Sequence, residues 1–211
     1  MVKPAGQRRD EDAERRILDA ADAVFVRRGT DGARMQEIAD EAGVNKALLH
    51  YYFRTKQALS EAVFKRAASA FVPAIFQILA SDAPLETKID EFVDTYLEQL
   101  ARRPYLPGYI IGELTHHPDR LIALFTALTE GAARRVVRKL RQQIRDRVQQ
   151  GTLAPVTAEQ FLVTLLGSCV FPFAARPMII AVLDLGPRGF DRFIAQRRKE
   201  LPMFLKRAMQ P

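Results

Sequence analysis

The sequence predicts an all-α fold of about nine helices, with a small N-terminal domain of residues 1–60 before a larger domain of residues 61–211. Apolar residues recur every three or four positions along almost the whole chain, as they do on the buried face of a helix. Alternating strand patterns with paired turn dipeptides do not occur. The 211 residues suffice to bury a core, and the one cysteine, Cys169, cannot form an internal disulfide.

The charge of the chain is positive, but its location decides what it implies. The formal net charge is +7, whereas residues 1–60 hold 11 Lys or Arg against 10 Asp or Glu, so most of the excess lies further on. The densest cluster of positive charge is better explained as a solvated helix face than as a binding site for a partner molecule. This face consists of Arg134, Arg135, Arg138, Lys139, Arg141, Arg145 and Arg147.

No segment has the pattern of an export signal or a membrane span. Residues 1–12 are polar and charged, and no stretch has eighteen uncharged apolar residues in a row. We therefore expect a cytoplasmic protein without a membrane partner.

The N-terminal half is predicted to hold several helices, each marked by residues that start or end a helix. The first helix is predicted to end at Gly29, after an apolar face formed by Ile17, Ala20, Ala21, Val24 and Phe25. Two short helices broken at Gly43 come next, and a longer helix covers residues 55–79. Pro84 then opens a helix with a one-sided apolar stripe.

The C-terminal half is predicted to hold longer helices. A short apolar segment covers residues 109–115, and one long amphipathic helix is expected over residues 119–150, ended by Gly151. Thr157 with Gln160 has the pattern of a capping box at the start of an apolar helix that ends near residue 170. Pro172 and Pro177 are predicted to break the chain before a last helix over residues 189–208.

Residues 35–53 meet the requirements of a helix-turn-helix. Such a motif needs a small residue where the helices cross and a residue that tolerates positive φ in the turn, and Ala39 and Gly43 fit these positions. Apolar residues must seat the second helix, and the candidates are Ile38, Val44, Leu49 and Tyr52. Unrelated helical hairpins share this pattern, so the pattern alone leaves both interpretations open.

The segment from Ala42 to Leu59, A-G-V-N-K-A-L-L-H-Y-Y-F-R-T-K-Q-A-L, closely resembles the recognition-helix signature of the TetR family of transcriptional regulators. Phe25 and Gly29 also fall at the family's spacing, so the resemblance covers about residues 12–64, and the rest matches only in helix number and length. It implies that the second short helix, residues 45–53, enters the major groove of operator DNA while the first crosses the backbone.

Two positions depart from the family pattern. The family usually has Thr or Ser before the first short helix, where this chain has Arg34, which cannot cap a helix. Arg34 either contacts a phosphate or is solvated. The family's usual Tyr is replaced by His50.

The resemblance assigns DNA contacts to the second short helix. Lys46 and His50 lie four residues apart on one face and are the main candidates for contacts to bases or phosphates. Asn45 is either an N-cap only or also a donor to DNA, and Ala47 either meets a thymine methyl group or only permits close approach.

Three further residues are candidates for contact with the phosphate backbone. Tyr51 is expected to donate a hydrogen bond to a phosphate, whereas Tyr52 either does the same or packs against the protein. Lys56 matches the family's phosphate-binding lysine.

The resemblance also implies that the larger domain dimerises and senses a small molecule. Two C-terminal helices, residues 157–170 and 189–208, would pair with their copies, unless they are core within one subunit. A largely apolar effector would bind among aromatic residues, although such a stripe is also typical of a core. The candidate effector residues are Phe92, Tyr96, Tyr109, Glu113, His116, Phe125 and Phe171.

Other classes of function are disfavoured. His116 with Glu113 and Asp119 could be imagined as an acid and base cluster, but the chain has no nucleophile motif, phosphate loop or metal-ligand spacing. We therefore expect neither an enzyme nor a cofactor or metal. A protein-binding adaptor remains as an alternative. The expected function is a homodimeric repressor that binds a palindromic operator and is released by its effector. The resemblance also allows an activator, and no residue decides between the two.

Overall fold

Residues 5–129, 131–186 and 188–211 are described by the structure, a computed structural model, and every regular element within these ranges is an α-helix. The eleven helices are α1 Ala5–Gly32, α2 Met35–Ala42, α3 Lys46–Tyr52, α4 Lys56–Ala80, α5 Leu85–Arg102, α6 Leu106–His116, α7 Pro118–Thr129, α8 Ala132–Gln149, α9 Ala158–Ala174, α10 Arg176–Val182 and α11 Gly189–Ala208. The all-α prediction is confirmed, but the predicted number of about nine helices is wrong.

The chain forms two compact units. The first ends at Ser69 and the second runs from Ala70 to Pro211, so the boundary falls within α4. In the first unit, α1 buries an apolar face that includes Ile17, Val24 and Phe25. Gly29 has φ +71°, which interrupts helical geometry where the sequence predicted the end of the first helix.

The amphipathic helix predicted over residues 119–150 is two helices. α7 ends at Thr129 and α8 begins at Ala132, and Gly131 before it has φ +75°. Residues with a side chain rarely adopt this conformation, so a glycine inside the amphipathic pattern marks the break. The prediction missed it because the apolar spacing continues on both sides.

The predicted break at Pro172 is also wrong, because α9 continues through this proline to Ala174. Proline has no N–H, so the carbonyl oxygen of Ser168, four residues earlier, loses its helical partner. The side chain of Arg197 replaces this partner, since its Nε and Nη2 donate to the Ser168 oxygen over 3.1 and 2.8 Å. The chain turns only after α9, into the additional helix α10.

Ion pairs align α5 with α11 in the second unit. Asp90, Asp94 and Glu98 lie four residues apart on one face of α5. Lys206 donates to Asp90 over 2.7 Å, and Arg198 donates to Asp94 and Glu98, each over 2.9 Å. The hydrogen bonds from Arg198 lower the pKa of the Asp94 carboxyl. Exposed pairs contribute up to about 1 kcal/mol each, so this row fixes the register of the two helices more than it adds stability.

Polar side chains of α8 hold the connection between α4 and α5. The Nζ of Lys139 donates to the carbonyl oxygen of Ala80 over 2.7 Å and pairs with Asp82, while Gln143 Nε2 donates to the oxygen of Ala83 over 3.1 Å. Lys88 is fully buried beside this row, and its Nζ donates to Gln143 Oε1 over 2.8 Å. Burial lowers the pKa of Lys88, and the nearby charge of Lys139 lowers it further.

α4 has the length and apolar composition of a membrane span. α9 and α10 together would also qualify, although they are bent by 78°. Core helices of soluble proteins have the same properties, and α4 buries Leu59, Val63 and Phe64 as such helices do. The absence of a membrane partner stays a prediction.

Candidate nucleic-acid interface

The turn between α2 and α3 depends on a left-handed residue. Gly43 has φ +63° and ψ +38°, and its N–H and that of Val44 donate to Asp40 and Ala39 over 3.1 and 3.0 Å. A β-carbon at Gly43 would have no neighbour closer than 3.8 Å, so the backbone conformation, rather than space, requires glycine here.

Apolar residues seat the two short helices. Ile38 and Ala39 of α2 and Leu49 of α3 have no exposed surface, and Val44 and Tyr52 are half-buried. The N-terminus of α2 has no side-chain cap, as the sequence indicated, and the Arg34 side chain before it is exposed. Arg34 is therefore accessible to a phosphate, but its contact with DNA remains a prediction.

Basic side chains of α1 hold α2 in place, which sequence reasoning did not anticipate. Arg27 pairs with Glu41 over 2.7 Å, and Arg28 with Glu37 over 3.6 Å. The Nη1 of Arg16 donates to the carbonyl oxygen of Ala42, just before the turn, over 3.4 Å. Pairs this far apart in sequence follow no helical spacing, so local patterns could not indicate them.

α3 begins at a side-chain cap. The Oδ1 of Asn45 accepts a hydrogen bond from the N–H of Leu48 over 2.7 Å, which pairs one of the free donors of the first turn. Its second possible role, as a donor to DNA, stays a prediction.

Polar residues of α3 are accessible from solvent. Lys46, Ala47 and Tyr51 are exposed, with Tyr51 at 78%, and His50 is partly exposed. The Nδ1 of His50 lies 3.3 Å from the carbonyl oxygen of Arg54. If Nδ1 carries the proton for this bond, Nε2 of the neutral ring is an acceptor, which matches the amino groups of adenine and cytosine.

Tyr52 is tied to α1. Its hydroxyl donates to the backbone oxygen and to Oδ1 of Asp10, both at 3.2 Å, and the Tyr51 ring packs edge-on against it at 5.3 Å. Burial, followed by the hydrogen bond to Asp10, raises the pKa of Tyr52. These contacts favour the packing role of Tyr52 over the phosphate role.

Lys56 lies at the start of α4 and binds the connection between α1 and α2. Its Nζ donates to the carbonyl oxygens of Asp31 and Ala33 over 2.9 and 3.3 Å. An ammonium group has three protons, so one remains for a phosphate. Lys56 can therefore anchor the connection before α2 and contact DNA at the same time.

None of the seven candidate effector residues lines either of the two clefts described below. Phe92 and Tyr96 are buried and stacked at 5.2 Å, with Phe71 edge-on to Tyr96 at 4.8 Å. Burial raises the pKa of Tyr96 to above its ordinary range. Two clefts of about 370 and 390 Å³ are lined by other residues. For Phe92 and Tyr96, the core interpretation is therefore favoured.

The other effector candidates are more exposed. Tyr109, Glu113 and Phe125 are half-buried, and burial followed by the charge of Glu113 raises the pKa of Tyr109 to about 12. His116 is exposed, with Nδ1 2.9 Å from the oxygen of Gly112, and Phe171 is 53% exposed. Within the described ranges, no three His, Cys, Asp or Glu side chains are grouped to hold a metal ion.

Comparison with known proteins supports the assignment of the first unit. The family model for bacterial regulatory proteins of the tetR family matches residues 17–63, which include α2 and α3. The activator FasR of Mycolicibacterium smegmatis is 35% identical over 94 residues, or 44% of this chain and 43% of FasR. The match thus spans less than half the length of FasR.

Longer matches extend over the second unit. The transcriptional regulator RutR of Escherichia coli is 28% identical over 183 residues, which cover 86% of this chain and 84% of RutR. The crystal structure described as a putative TetR-family transcriptional regulator from Mesorhizobium loti has a TM-score of 0.57 and 20% identity. It covers 96% of this chain and 99% of that one, which shows a shared fold.

A helix-turn-helix with an exposed second helix defines the first unit as a DNA-binding domain of a transcriptional regulator. Residues 17–63 match the tetR family model, and the chain is similar to a transcriptional regulator, RutR, over most of its length.

We predict that Lys56→Ala weakens binding to every DNA sequence and lowers the salt dependence of binding by about one unit of slope in log K against log salt. The reason is the loss of one phosphate contact. Fluorescence anisotropy with a labelled duplex at several salt concentrations measures both quantities.

Lys65→Ala is a matched control for Lys56→Ala, because Lys65 is an exposed lysine of the same helix. It should leave the slope unchanged. A weaker affinity of Lys56→Ala with an unchanged slope would mean that Lys56 acts only by holding the connection between α1 and α2.

Proposed function

We propose that this chain is a homodimeric repressor, acting in the cytoplasm, that binds a roughly palindromic operator and is released by a small, largely apolar molecule. The exposed face of α3, with Lys46, Ala47 and Tyr51 projecting from a helix seated by Leu49, supports the DNA-binding part most directly. The longer unit supplies the surface for dimerisation and the helices for an effector site.

The length of α3 argues for two copies. Its seven residues rise by about 1.5 Å each, so it spans about 10 Å, or about three base pairs of DNA. So few base pairs recur throughout a genome and cannot specify an operator. A two-fold dimer doubles the number of bases contacted and requires two half-sites of opposite direction, which is a palindrome.

α9 and α11 supply the surface for this dimer. α9 buries Phe161 and Leu165 within the unit, yet exposes Val163 at 69% and Leu166 at 44%. On α11, Met203 and Phe204 are 50% and 69% exposed, so both helices expose large apolar side chains. Exposed apolar faces of this kind mark protein interfaces. The two helices thus serve both as core and as the proposed interface.

The proposed effector site is supported by α6 and α7, two helices that DNA binding does not require. α6 and α7 carry the half-buried Tyr109, Glu113 and Phe125, and they expose Ile111 and Ile122. A half-buried carboxylate and phenol among apolar side chains is the usual composition of a small-molecule site. Repression is the part of the proposal that rests only on the resemblance to the family. The relative FasR is named an activator, so the direction of regulation has to be measured separately.

We predict that Lys46→Ala and His50→Ala change the DNA sequence that the protein prefers, because these side chains contact base edges. Selection from a random DNA library, followed by sequencing, gives the preferred motif of each variant. Lys65→Ala should return the wild-type motif. If wild type and both α3 variants returned one motif, the assignment of base contacts to Lys46 and His50 would be refuted.

We further predict that an effector weakens operator binding by about 5- to 150-fold and that the operator weakens effector binding by the same factor. The probe is a binding hit from a library of small apolar molecules. Calorimetry of the hit with and without operator, together with DNA titrations with and without the hit, gives both factors. A hit that binds between residues 88 and 173 and leaves operator affinity unchanged would contradict a sensor role for that site.

A further inference from the structure

Pro172 lies in a helix position that requires an N–H. It is buried in the last turns of α9, and the helix continues for two residues beyond it. In an α-helix the N–H of residue 172 would pair with the carbonyl oxygen of Ser168, and proline has no such group. An oxygen left unpaired here would favour a kink or an earlier end of the helix.

A side chain from another helix supplies the missing donor. Arg197 of α11 donates from Nε and Nη2 to the Ser168 oxygen, over 3.1 and 2.8 Å. Only a planar guanidinium offers two donors in a fixed fork, so one side chain can more than replace the absent N–H. Arg197 is half-buried, and burial lowers its pKa, with the thiol of Cys169 nearby.

This contact lies in a cleft lined by residues of α9 and α11. Ser168 and Arg197 line a cleft of about 390 Å³, together with Phe193 and Phe204 and with the polar Gln196 and Glu200. Leu166 and Phe171, on either side of Ser168 in the sequence, are exposed. A change in the direction of α9 near Ser168 would therefore move its exposed apolar side chains relative to those of α11.

We propose that Arg197 is a positioning residue, which replaces the N–H that Pro172 lacks, keeps α9 helical to its end and fixes the α9 and α11 face that a second copy of this chain binds. The part of this inference that concerns the second copy rests on the proposed function. The pairing of Arg197 with the Ser168 oxygen does not depend on it.

A double-mutant cycle tests the inference. In Pro172→Ala, the alanine N–H can pair with the Ser168 oxygen, so Arg197 becomes dispensable. We expect Arg197→Met to lower the urea midpoint and to weaken dimerisation about tenfold in the wild-type background, but much less in the Pro172→Ala background. Urea unfolding measures the first effect, and sedimentation equilibrium measures the dimer dissociation constant.

Arg198→Met is the matched control, because the neighbouring Arg198 pairs with Asp94 and Glu98 of α5. Its effect should be the same in both backgrounds. Arg197→Lys should recover part of the loss, since an ammonium group can donate to the same oxygen. If Arg197→Met does not fold alone but folds together with Pro172→Ala, the inference is supported.

Equal losses from Arg197→Met in both backgrounds would overturn the inference. A coupled loss of stability with an unchanged dimer dissociation constant would overturn the part that concerns the interface. A wild-type chain that stays monomeric at micromolar concentration would instead refute the proposed dimer, while the urea cycle would still test the pairing of Arg197 with Ser168.

Discussion

The DNA-binding unit depends on the left-handed backbone at Gly43. This one residue lets the chain reverse between α2 and α3 while the N–H of Val44 still pairs with Ala39. The turn places Leu49 in the core, and Ala47 and Tyr51, two positions before and after it, therefore lie on the opposite face of α3 and are exposed. Lys46, in the first turn of α3, is exposed as well. A residue with a β-carbon at Gly43 would strain this backbone and disturb the exposed face of α3.

Local chemistry made the first unit predictable. The small Ala39, the glycine in the turn and the cap at Asn45 act within a few residues of one another, so their spacing in the sequence carries the information. The same holds for the cap at Thr157, whose Oγ1 accepts from the N–H of Gln160 over 3.3 Å. The DNA contacts of the α3 side chains are not tested by the geometry and stay predictions.

Contacts between distant residues account for what the sequence did not predict. Arg197 lies 25 positions after Pro172, so no local pattern could show that α9 would continue through its proline. Lys56 likewise matches a phosphate-binding position, but its bonds to Asp31 and Ala33 follow from the tertiary fold. For the effector, aromatic spacing could not separate core from pocket, and the burial and stacking of Phe92 and Tyr96 favour the core interpretation for these two residues.

In the proposed dimer, two copies of α3 bind two half-sites held at a fixed distance. Insertion of five base pairs between the half-sites of a selected operator tests it directly, because this rotates one half-site by about half a turn of the DNA helix. We predict that affinity falls at least about tenfold, toward that of an isolated half-site. An affinity independent of the inserted length would show that the α3 helices bind separately, and would contradict the account.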